Sequence, residues 1–405
     1  MLRTALSRGA IVVLGALTLA CGEATVADVP SDSPDGPELS RVCQLTSGNV
    51  FDGGPGPDGI PSLVNPTLVS IQDADAGYMD DYAQRANSQP WAPSARVVSL
   101  LVGTEAIAVP HNILWSHEIA NIDLANRRLA VSYCPLTGSA IVFDASAAET
   151  RRFGVSGLLY QNNLIMFDEE SGTLWPQMCR RAASGEKEGT QLQMIPAVEM
   201  DWEAWKALHP DGRVVSSKTG YVDRDYTLYP YGDYEISDRL LFPMPDGIDG
   251  RLPEKERVLG IPMGGGGVAV PFSRLQSLGA KAVLELTVER SDVIVFWDAS
   301  GRSAAAYRPP AGTSWTADAF SVEDNKIVDV ETGSEWTVEG LAVSGARAGD
   351  ALDPVPGTFV AFWFAWAAFQ PETAIWGAPP PSPRDPEVVL CGTGAGAVDR
   401  SQPCR

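Results

Sequence analysis

The hydrophobic pattern divides the chain into an apolar leader, loop-rich ends and a long body of short apolar runs. Ile11 to Ala20 is apolar and follows Arg3 and Arg8. That stretch is too short to cross a bilayer as a mature helix and reads as a secretory signal. It ends at Thr18-Leu19-Ala20-Cys21-Gly22, where a small residue directly precedes a cysteine. Residues 1–21 therefore read as a signal peptide with a lipobox, and Cys21 as the acylated first residue, although Thr18 and Leu19 depart from the usual leucine and small residue. In the body, Arg128–Tyr133 and Ala140–Phe143 alternate or run apolar like strands, and Asp292–Trp297 corresponds to the second of them. Asp201–Leu208 reads as a short amphipathic helix, with Asp201 as its N-cap and His209-Pro210 as its end. Its later partner Ala361–Phe369 is apolar throughout and is expected to be buried.

The order of these elements recurs. An offset of 161 carries Arg96-Val97 onto Arg257-Val258 and Ala108-Val109-Pro110 onto Ala269-Val270-Pro271. The same offset joins Asp168, Gly172 and Trp175 to Asp329, Gly333 and Trp336. It also joins Trp202-x-x-Trp205 to Trp363-x-x-Trp366 and Pro210 to Pro371. Tryptophan and proline are rare, so several matches at one offset point to an internal duplication. The expected fold is α+β and β-rich, with two similar repeat units packed into one body. Residues 22–59 are rich in Pro, Gly, Ser and Asp and read as a flexible linker. Repeat unit 1 spans 60–250, repeat unit 2 spans 251–376, and 377–405 is a Gly/Pro-rich tail.

Composition narrows the partners. A formal net charge of −21 argues against nucleic acid and against an anionic membrane surface. The expected location is the cell envelope, with the exported chain held to a bacterial membrane through its lipid anchor. Six cysteines in an exported protein invite disulfides. Cys391 and Cys404 lie close together in the tail and are a disulfide candidate, while Cys43 sits in the linker within reach of that tail.

The offset also works as an internal control. His111, His117 and His209 face Phe272, Leu278 and Gln370, and Cys134 faces Val295 or a neighbour if the gap moves. All histidines and both body cysteines, Cys134 and Cys179, thus fall in the first unit. Cys134 lies in Tyr133-Cys134-Pro135-Leu136-Thr137-Gly138, a hairpin resembling half of a metal knuckle. Thr137 stands where the second cysteine would be, so no Cys-x-x-Cys pair exists. Two readings stay open. In one, Cys134 and Cys179 form a catalytic thiol pair, or Cys134, His111 and His117 hold a transition metal, for redox or metal handling. In the other, Cys134 and Cys179 are purely structural, as a disulfide or buried thiols, and the protein binds a ligand or partner without catalysis.

Several stretches together resemble an uncharacterised bacterial and archaeal family, catalogued as domain of unknown function 3179. They are Asp58-Gly59-Ile60-Pro61, Ala108-Val109-Pro110, His117-Glu118-Ile119-Ala120-Asn121, Tyr133-Cys134-Pro135-Leu136, Phe153–Tyr160, Gly172-Thr173-Leu174-Trp175 and the region Trp363–Pro371. The resemblance covers roughly Asp58 to Thr373. It departs at Thr137, where the family usually has cysteine, and at Ile122, where it usually has aspartate. Some relatives are similar to proteins labelled possible selenoproteins, which implies a reactive chalcogen position. The resemblance supplies no reaction.

Overall fold

The computed structural model describes residues 42–378 except 74–75, 104, 263–265, 289–290 and 310–314, together with the backbone of 390–392. All of these fall in one compact unit. Short strands dominate, and the helices are brief, the longest among the described residues being Gly77–Ala86. The β-rich expectation therefore holds. The cause is legible in strands such as Arg96–Val102, whose Val-Val-x-Leu-Leu run is buried over most of its length and favours a pleated, doubly covered position.

Two sets of sheets follow one another along the chain. In the first, Val198–Asp201, Arg96–Val102, Glu105–Pro110, Arg213–Val215 and Leu68–Ser70 lie side by side in that order. In the second, the order is Phe359–Phe362, Arg257–Ile261, Val268–Pro271 and Ala374–Ile375. A further sheet runs Gln193–Ile195, Ser139–Asp144, Arg127–Cys134, Ile119–Leu124 and Leu63–Val64. Its later counterpart runs Asp353–Pro354, Ser303–Arg308, Ser291–Asp298, Lys281–Val288 and Leu390–Gly392.

Local details match as well. Pro110 and Pro271 both hold an extended backbone directly before the helices His111–His117 and Phe272–Gln276, as their ring-fixed φ allows. Asp168 accepts from Ser171 N and Trp175 Nε1 at 2.8 and 3.0 Å, and Asp329 from Thr332 N and Trp336 Nε1 at 2.7 and 3.1 Å. The register places Cys134 opposite Ser139 and Asp298 opposite Ser303. By sheet position, Ser291–Asp298 therefore matches Arg127–Cys134, not Ala140–Phe143, and Asp298 matches Cys134. The offset is 161 at the helix starts His111 and Phe272 but 164 at Leu124 and Val288, so the three extra residues of the second set lie between Phe272 and Val288.

The two sets lock reciprocally. Asp201 N donates to Gly301 O at 2.9 Å, and Phe362 N donates to Thr137 O at 2.8 Å. Trp202 N donates to Ala95 O, and Trp363 N to Glu256 O. Asp201 does precede the helix Trp202–Leu208, but its side chain makes no capping bond. Its carboxylate is taken instead by Ser94, Arg96 and Arg302.

Two segments depart from the expected boundaries. Residues 42–59, read as linker, sit on the body. Val50–Asp52 pairs with Phe153–Tyr160, and Asp58 N donates to Val155 O. Residues 216–256 carry a single short 3₁₀ turn, Tyr234–Ile236. They bury Tyr226, Tyr229 and Tyr234 against the first set, and nothing equivalent follows Ala374–Ile375 among the described residues.

Candidate functional site

Strand alternation decides what Cys134 can meet. On Arg127–Cys134 successive side chains leave opposite faces. Tyr133 joins one core cluster with Val131, while Cys134 joins another with Ala130. His111 stacks on Tyr133, ring centroids 4.3 Å apart, and so belongs to the face away from Cys134. His117 has both ring nitrogens engaged, Nδ1 2.7 Å from Pro61 O and Nε2 2.6 Å from the Tyr226 hydroxyl. A carbonyl only accepts, so Nδ1 carries the proton and Nε2 accepts from Tyr226. Burial holds His117 below the usual histidine range, so it stays neutral. The candidate ligands Cys134, His111 and His117 are thus not brought together. Among the described residues no group of three or more His, Cys, Asp or Glu stands where a metal ion would be held.

The thiol pair is also rearranged. Cys179 is bonded to Cys43, Cα atoms 5.8 Å apart across 136 residues of sequence, and both residues are buried. A Cys134–Cys179 bridge is therefore not formed, and the segment read as linker supplies the partner. Cys134 is a free, buried thiol that donates to Asn162 O at 3.5 Å. Burial, with Glu118 adding to it, pushes it up to about 11, opposite to the lowering a reactive thiolate needs. Thr137 binds Ser139 and Asn163 through its hydroxyl. Gln177 completes that buried network, which fixes the turn. Cys21 and Cys404 lie outside the described residues. Cys391 is described only as backbone, opposite Glu285, so the Cys391–Cys404 candidate also lies outside them.

A different cluster stands out, at the junction of the two sets. His111 Nε2 lies 3.1 Å from Glu199 Oε2, and Arg257 Nη1 lies 3.8 Å from the same oxygen. Arg257 also pairs with Glu235 at 3.1 Å, and Arg96 with Asp201 at 3.1 Å. Burial and the two arginines keep His111 below its usual range. Burial would raise Glu199, but His111, Arg96 and Arg257 together hold it low. His111 Nε2, both Glu199 oxygens, Arg257 Nη1, Arg96 Nε and the Tyr133 hydroxyl have no well-aligned hydrogen-bond partner. Each such atom costs about 1–3 kcal/mol, so this centre is built for polarity, not for packing. Arg257 and Arg302 also line an open pocket of about 200 Å³.

Glu118 was legible only as part of His117-Glu118. It sits at φ +54°, is 8% exposed, and burial pushes its carboxyl up to about 8. The arginines of the central cluster were visible as the repeated Arg-Val step, but that pattern marked a repeat and not a site. Glu199 and Glu235 gave no signal in so acidic a chain. His209 meets Glu339 at 2.7 Å, and Glu339 in turn accepts from Ser99 at 2.6 Å. That chain of bonds ties the first set to the second, with the carboxylate between the two hydrogen-bonding groups and no serine–histidine contact.

The family model described as Protein of unknown function (DUF3179) matches residues 57–373. No curated protein and no solved structure matches the chain.

Proposed function

The chain belongs to this family of unknown function, and from that premise we propose that it is an exported, lipid-anchored envelope protein that binds a ligand or partner, with its body cysteines structural. One observation carries the reading: Cys179 is consumed by Cys43 while Cys134 is a buried thiol pushed up to about 11. A thiol enzyme needs an accessible sulfur that ionises near neutral pH, and neither cysteine offers one. The bridge itself suits an oxidising compartment, in keeping with the signal-like leader and Cys21. Matching sheet orders and the paired Asp168 and Asp329 turns support an origin by internal duplication.

Two measurements test this. The purified protein should hold no stoichiometric transition metal and should not reduce insulin disulfides in the presence of dithiothreitol. Tightly held metal or catalytic turnover overturns the reading. Separately, wild-type protein should take up radiolabelled palmitate and fractionate with membranes, and Cys21→Ser should do neither. Equal membrane association of both contradicts the anchor.

A further inference from the structure

The two sets close their sheet edges from opposite ends of the chain. An edge strand shows unpaired N–H and C=O groups and pairs with another chain unless it is covered. In the first set the stretch 50–70 supplies the covers. Val50–Asp52 lies on Phe153–Tyr160, Leu63–Val64 on Ile119–Leu124, and Leu68–Ser70 on Arg213–Val215. Among the described residues, no strand lies between Arg213–Val215 and Arg257–Ile261 to do the same for the second set. Its Lys281–Val288 edge is covered from the tail instead, by Leu390–Gly392.

Both covers fall at the same point. With the offset of 164, Leu284 and Glu285 match Ala120 and Asn121. Leu63 and Val64 pair with Ala120 and Asn121 in parallel, while Leu390–Gly392 pairs with Leu284–Leu286 in the antiparallel sense. This point on the edge therefore takes a short strand in either direction. The covers differ in how they are fixed. Asn121 Nδ2 donates to Leu63 O at 3.1 Å. Asn65 accepts from Asp123 N at 2.7 Å and donates to its carboxylate at 3.0 Å. In the second set Glu285 stands in the place of Asn121, and its Oε2 accepts from Ala317 N at 3.3 Å. Thr287 stands in the place of Asp123 and donates to Asp292 at 3.0 Å. Both clamping positions are thus turned away from the cover.

The tail sequence suits a removable strand. Val388-Val389-Leu390 favours extended structure and is set off from the body by Pro379, Pro380, Pro381, Pro383 and Pro386. On its other side Lys281–Val288 pairs over its whole length with Ser291–Asp298, whereas the tail pairs only with Leu284–Leu286. We propose that Leu284–Leu286 is a strand-acceptor site, that Leu390–Gly392 guards it exchangeably, and that the tail strand of a second copy takes the same place. Recognition runs through the backbone ladder, as when an extended peptide lengthens a sheet. A second copy fits because its tail makes identical pairs.

The probe is a fluorescent peptide of residues 384–395 carrying Cys391→Ser, which keeps disulfide capture out of the measurement. The acceptor is the mature chain carrying Leu390→Pro and Cys391→Pro. Adjacent residues of a strand turn their N–H groups to opposite sides, so one of the two prolines removes a ladder donor. Anisotropy should show saturable binding to this variant, at least about tenfold tighter than to the wild-type chain, whose own tethered strand competes at high effective concentration. Hydrogen exchange within Leu284–Leu286 should quicken in the variant and slow again when the peptide is added. A peptide carrying both prolines should bind neither chain. Equal binding to the two chains, no binding to the variant, binding of the proline peptide, or exchange that ignores both changes overturns the proposal. Metal binding or thiol turnover would overturn the function proposed above and leave this edge untouched.

Discussion

Nε2 of His111 stands 3.1 Å from Oε2 of Glu199, in a fully buried junction where Arg96 and Arg257 hold the carboxylate ionised. Glu199→Gln removes a charge that both arginines face. Breaking a buried charge arrangement from one side costs about 3–5 kcal/mol. Urea unfolding should show a loss of that order with an unchanged m-value. A loss below about 1 kcal/mol would mean that the centre is hydrated well enough not to need the carboxylate.

Glu118 makes stability depend on pH. Its carboxyl is raised from about 4.5 to about 8 by burial, so the folded state binds its proton more tightly than the unfolded state does. That contribution is fully present below pH 4.5, declines as pH rises, and is lost once pH passes about 8. At one pKa unit per 1.36 kcal/mol, the swing is at most about 4–5 kcal/mol. Glu118→Gln should flatten the pH dependence of urea midpoints between pH 5 and 8. If the variant and wild type keep the same slope, Glu118 is ionised in the fold.

The Cys43–Cys179 bond closes a loop of 136 residues in separation, so the chain-entropy model gives it about 4–5 kcal/mol. The double variant Cys43→Ser with Cys179→Ser should lose stability of that order, read from urea unfolding of oxidised samples. It should also free the segment carrying Val50–Asp52, which proteolysis near residues 44–52 would report. Unchanged stability would show that the strand pairing alone seats this segment.

The β-rich class was legible because it is written in local residue patterns. Trp202-x-x-Trp205 and Trp363-x-x-Trp366, and the two Val-Pro steps, carry their meaning wherever they stand. The cysteine pairing was not legible. Cys43 looked like linker because it lies between two stretches rich in Pro, Gly, Ser and Asp, at 30–37 and 53–59, and only the tertiary path of 42–59 along Phe153–Tyr160 brings it to Cys179. The expected Cys134, His111 and His117 site failed on strand parity. Tyr133 and Cys134 are adjacent in sequence yet face different cores. The central charges were hidden because Glu199 and Glu235 are two carboxylates among many, and only burial separates them from the rest.

Differential alkylation with peptide mapping tests the structural role of the cysteines most directly. The native, unreduced protein is treated with N-ethylmaleimide, then denatured and treated with a heavy-isotope form of the reagent. The account predicts that Cys134 carries only the heavy label and that Cys43 and Cys179 are recovered as one linked peptide. Light label on Cys134 within minutes, or a linked Cys134–Cys179 peptide, would contradict it.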